Sequence, residues 1–135
     1  MVTLMRRSDV EVFQAIISKR GGFGHREHLE LAWTYLRLHP IQEAEDAMTA
    51  AIRHIARRHG AEDKYHETIT RAWLRFVAVH MQRWGAPSFE EFIERNPDLL
   101  DRKLVEHFYS RELIFGASAR AGWVDPDLRA LPALA

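Results

Sequence analysis

Asp63-Lys64-Tyr65-His66-Glu67-Thr68-Ile69-Thr70-Arg71-Ala72-Trp73-Leu74-Arg75-Phe76-Val77-Ala78-Val79-His80 reads as one amphipathic helix and sets the fold class. His66, Ile69, Thr70, Trp73, Phe76, Val77 and His80 recur three and four apart, the period of an α-helix and not the alternation of a strand. Asp63 suits the N-cap, where a short acceptor side chain takes one of the unpaired first-turn N–H groups. Gly85, with Pro87 beyond it, supplies the stop. A long central helix is predicted.

Working back toward the N-terminus, the punctuation stays helical. Ser8 with Glu11 forms a capping box, followed by Val10, Phe13, Ile16 and Ile17 at helical spacing and a stop at Gly21-Gly22. A second predicted helix runs from about His25 to Leu38 and ends before Pro40, because a residue preceding proline avoids the α region. Pro40 suits the first turn of a third, whose stripe of Ala44, Ala47, Met48, Ala51, Ile52 and Ile55 ends at Gly60. Small alanines there allow close helix approach. Toward the C-terminus, Ser88 with Glu91 opens a short helix to Arg95, and Asn96-Pro97 opens a sixth reaching about Phe115. Leu100, Leu104, Phe108 and Leu113 form its expected inward stripe, and Gly116 its end. Residues 117–135 contain Asp125-Pro126 and Leu131-Pro132 and read as an extended tail, anchored by Trp123, Val124 and Leu128. The expectation is an all-α, single-domain bundle of about five or six helices over 1–135, with an irregular C-terminal tail.

Composition narrows the function classes. The chain has 135 residues, 47% of them hydrophobic, with 19 basic residues against 19 acidic ones. A core of that size needs no disulfide or structural metal. The absence of cysteine removes disulfides, thiolate zinc sites, iron–sulfur clusters and cysteine nucleophiles together. Arg6 and Arg7 are followed by Ser8, Asp9 and Glu11 with no apolar run, so neither a signal peptide nor a membrane span is expected, and a cytoplasmic location is. Zero formal charge offers no long-range field for nucleic acid or anionic lipid. The one basic cluster, Arg53, Arg57 and Arg58, reads as a solvated helix face.

Short links make successive helices antiparallel, so the second and fourth predicted helices should run the same way. His28 then lies about four residues into one and His66 about three into the other, at the same end and similar depth. His25 stands one turn before His28 on the same face. Three imidazoles without sulfur suit a mononuclear divalent transition metal, with zinc or iron first. His25, His28 and His66 are the candidate ligands. A fourth position would hold water, with Glu67 available as base for a small-molecule substrate.

Each residue also has a plainer explanation. Glu67 can pair with Arg71 one turn on, Glu27 can complement the helix dipole, and Tyr65, Trp33 and Trp73 can be core aromatics. The zinc-protease pattern H-E-x-x-H is absent. Di-iron bundles combine two Glu-x-x-His pairs with two further glutamates, and Asp63-x-x-His66 is the one comparable pair near the candidate site, which argues against such a centre. A reading from a different class is a metal-free helical ligand-binding or protein-interaction module, suggested by large side chains such as Trp84, Phe108 and Trp123 beyond what a small bundle needs. A third is metal-free acid–base catalysis by His66, with Glu67 or Tyr65 orienting it. Trp84 or Phe89 could support a homodimer.

Phe23-Gly24-His25-Arg26-Glu27-His28-Leu29, Tyr65-His66-Glu67-Thr68-Ile69-Thr70 with Trp73, and Trp123-Val124-Asp125-Pro126-Asp127-Leu128 resemble segments of a family of small all-helical bacterial proteins catalogued as hypothetical. The resemblance covers nearly the whole chain. It implies a self-standing bacterial domain and transfers no mechanism.

Overall fold

The computed structural model describes residues 11–16 and 24–134, among which the backbone is helical or irregular and contains no strand. None of the described helices is long and apolar enough to cross a membrane. The chain comprises two compact units, Met1–Tyr65 and His66–Ala135.

In the first unit, residues 11–16 are helical with Phe13 and Ile16 buried. The proposed cap Ser8, with Ile17 and Gly21-Gly22, lies outside the described residues. Helix α1 spans His25–Leu38. Gly24 is its N-cap residue, and the Glu27 carboxylate accepts the Gly24 N–H at 2.7 Å, satisfying a donor that the helix cannot. His39 closes the helix through its N–H to the Tyr35 carbonyl at 2.9 Å, one residue before Pro40 as expected. Helix α2, Ile41–Arg58, buries Ala44, Ala47, Met48 and Ala51 and packs against α1, where the alanines keep the helices close. Gly60 then turns the chain at φ +63°, the left-handed geometry that glycine adopts without penalty.

The second unit is built on α3, Glu67–Arg83, which starts later than predicted. Glu62–Lys64 forms a separate 3-10 turn, so Asp63 is not the cap and His66 takes that position. Ala72, Trp73, Leu74, Phe76, Val77, Ala78 and Val79 are all buried, so this helix is covered nearly all round, as a core helix is. Trp73 and Phe76 meet edge to face at 5.3 Å, and Phe76 lies 5.3 Å from Phe108. Helix α4, Phe89–Arg95, starts at Ser88, whose hydroxyl accepts the Glu91 N–H at 3.2 Å. Phe89 is only 5% exposed, which removes it from any dimer contact.

The single helix expected from Asn96 to Phe115 is instead three pieces: 3-10 segments Pro97–Leu100 and Arg102–His107, and α5, Arg111–Ile114. Two side chains redirect the backbone. Asp101 accepts the Lys103 N–H at 2.9 Å, and Ser110 accepts the Leu113 N–H at 3.2 Å, each opening a new segment. The breaks shift the buried phase to Leu99, Val105, Tyr109 and Ile114, while Leu100, expected inward, is exposed. Helix α6, Ala117–Ala121, occupies the start of the predicted tail.

From Trp123 to residue 134 the chain has no regular structure, and main-chain bonds hold part of it. Tyr109 donates its hydroxyl to the Val124 carbonyl at 2.8 Å, the Ser110 N–H reaches Asp127 at 2.8 Å, and the Leu128 N–H reaches the Phe108 carbonyl at 3.0 Å. Trp123 and Leu128 are not the anchors expected of them, since their side chains are 40% and 60% exposed.

Candidate functional site

The three candidate ligands fall in different units, His25 and His28 in the first and His66 in the second. Among the described residues no group of three or more His, Asp or Glu side chains is placed to hold a metal ion.

His66 is the most completely defined of the three. It is buried at the N-cap of α3, where its Nδ1 accepts the Ile69 N–H at 3.1 Å. An Nδ1 that accepts carries no proton, so the neutral ring carries its proton on Nε2. Nε2 lies 2.5 Å from the Ile114 carbonyl and donates to it. Both ring nitrogens are therefore engaged by the main chain, one locally and one at the end of α5. Burial lowers the His66 pKa most, the Arg120 charge lowers it further, and the Ile114 bond opposes both. The net lowering favours the neutral ring that the cap requires.

His25 and His28 stand in the first turns of α1. His28 as a residue keeps some surface, but its Nε2 is buried. That desolvation, with the nearby His25 charge second, pushes the His28 pKa down to about 3. The ring is neutral under ordinary conditions.

The proposed catalytic pair is also engaged elsewhere. Glu67 is buried and forms an ion pair with Arg71 one turn on, Nε to Oε2 2.5 Å. The Arg53 guanidinium lies over the Tyr65 ring, 4.9 Å from its centroid. His107 and Glu112 are exposed. His80 bridges α3 to the 3-10 segment Pro97–Leu100, with Nδ1 2.7 Å from the Phe76 carbonyl and Nε2 2.8 Å from Asp98.

Several polar residues were not singled out by the sequence reading. Asn96, read there only as a cap, is buried, and its amide donates to the carbonyls of Trp84 at 3.2 Å and Phe92 at 2.9 Å. Thr68 is fully buried; its hydroxyl donates to the Gly122 carbonyl at 2.8 Å and accepts the Val124 N–H at 3.2 Å. Partners 54 and 56 residues away leave no local signal of these roles. Tyr109 is likewise fully buried. Burial first, and Asp125 second, push its hydroxyl pKa up to about 12.

No family model, curated protein sequence or solved structure matches the chain.

Proposed function

We propose that this chain is a metal-free helical protein-interaction module whose histidines brace the fold. The observation that carries this reading is the exposure of large aromatic side chains on the second unit, Trp84 at 56% and Phe115 at 52%, beside a core already filled by Trp73, Phe76, Phe92 and Tyr109. Aromatic side chains with apolar area and few rotatable bonds are the usual anchors of protein contacts. Engagement of both His66 nitrogens supports the metal-free half of the reading, because ligation at either would require breaking a main-chain bond.

A photo-cross-linking amino acid at position 84, introduced in the source cells, should give a discrete adduct that the same group at exposed Glu94 does not. The Phe115→Ser substitution should weaken that adduct without loss of helicity. Absence of any adduct from position 84 would remove the interaction reading. Near-stoichiometric zinc or iron in protein purified without tag or chelator, lost on His28→Ala, would restore the metal site.

A further inference from the structure

The outer face of α2 carries an ordered set of charges. Glu43, Arg53 and Arg57 are exposed and Asp46 and Ala50 half-buried, while Ala44, Ala47, Met48 and Ala51 turn into the core. Successive spacings of three and four residues place Glu43, Asp46, Ala50, Arg53 and Arg57 on one stripe. Along it the signs are segregated: acidic in the N-terminal half, basic in the C-terminal half. The i+4 neighbours of Glu43 and Asp46 are Ala47 and Ala50, and Arg53 and Arg57 are like charges one turn apart. Segregation of this kind also suits the helix dipole.

We infer that this face pairs with the same face of a second copy, antiparallel, about a two-fold axis at Ala50. An isologous contact requires a surface complementary to itself under that rotation. Here the rotation sets Glu43 opposite Arg57 of the second copy and Asp46 within one residue of its Arg53, and the symmetric pairs repeat on the other side. The small side chain on the axis lets the two backbones approach. Two contacts within the chain steady the charged groups along the stripe: His39 Nδ1 lies 3.8 Å from Glu43, and the Arg53 guanidinium rests on Tyr65. An 18-residue helix offers roughly 27 Å of contact, less than a standard interface, so the association is weak and salt-dependent. This goes beyond the aromatic contacts of the second unit and does not depend on them.

Sedimentation equilibrium of the full chain at low ionic strength should show a monomer–dimer equilibrium that shifts to monomer as salt is raised. The neutralised variant Glu43→Gln/Asp46→Asn, checked as helical by circular dichroism, should associate roughly tenfold more weakly or less. Arg53→Glu/Arg57→Glu and Glu43→Lys/Asp46→Lys should each be monomeric alone and form a heterodimer when mixed. A parent chain that is monomeric at low salt would overturn the inference, leaving dipole complementarity as the reason for the charge order. So would a dimer that survives in either charge-reversed variant.

Discussion

His66 shows how a residue type that suggests catalysis can be an element of construction. Its ring closes the first turn of α3 and ties it to Ile114, and the two bonds are separable by substitution. His66→Ala removes a cap worth about 1 kcal/mol and leaves a buried carbonyl without its donor, worth about 1–3 kcal/mol, so a loss of about 2–4 kcal/mol is expected in denaturant unfolding. His66→Asn should recover about 1 kcal/mol, because asparagine caps well but is too short to reach Ile114. Equal losses for the two variants would show that the cap contributes nothing. The same geometry gives a pH dependence. His66 and His28 both have folded pKa values below the unfolded value of 6.5, so the unfolded chain binds more protons and stability falls with falling pH. Their contribution is complete above pH 6.5 and is lost as the pH drops from there toward about 3, the value to which His28 is lowered. Unfolding midpoints measured through that window should decline in the parent, with a shallower slope in His28→Gln.

At the scale of elements, the ends that could be read from sequence were those fixed by adjacent residues. Ser88 with Glu91, the proline at 40 and the left-handed Gly60 act within one turn, and the structure places an element boundary at each. The break in the chain after Asn96 was not legible, because hydrophobic spacing alone does not show that Asp101 and Ser110 will bond to their own backbone instead of facing outward. Once those caps form, Leu99, Val105, Tyr109 and Ile114 replace the expected stripe in the core. The surroundings of His66 were not legible for a related reason: its second partner, Ile114, lies 48 residues away. Asn96 is the junction where this matters most, since one amide joins the end of α3 at Trp84 to α4 at Phe92. Asn96→Ala leaves two carbonyls without that donor and should cost about 1–3 kcal/mol; Asn96→Asp should cost at least as much, because it replaces the donor with a buried acceptor. Thermal unfolding of the two variants checks the order, and a neutral Asn96→Asp would show that the amide bonds contribute little.

At the scale of the molecule, the division at Tyr65 and His66 falls where the cap of α3 begins. Each unit has its own fully buried side chains, Leu29, Leu31, Tyr35 and Met48 in the first and Leu74, Phe76, Phe92, Tyr109 and Ile114 in the second. The second unit also contains both ends of the His66, Thr68, Tyr109 and Asn96 bonds. A segment of about 70 residues is near the lower limit at which a core sustains folding without a staple, so those internal bonds matter to whether it stands alone. We expect residues 66–135 expressed separately to be helical and to unfold cooperatively. Tyrosine ionisation gives a specific check, because the chain has 3 tyrosines and only Tyr109 lies in this segment. In the folded unit its hydroxyl pKa is raised from 10 to about 12, so the neutral form is favoured. That contribution is intact below pH 10 and is lost as the pH rises toward about 12. Ultraviolet titration of the segment should therefore show a single tyrosine ionising well above pH 10 with helicity retained up to that point. Ionisation near the ordinary value of about 10 would mean that Tyr109 is not buried in the isolated segment, and that residues 66–135 do not hold this fold alone.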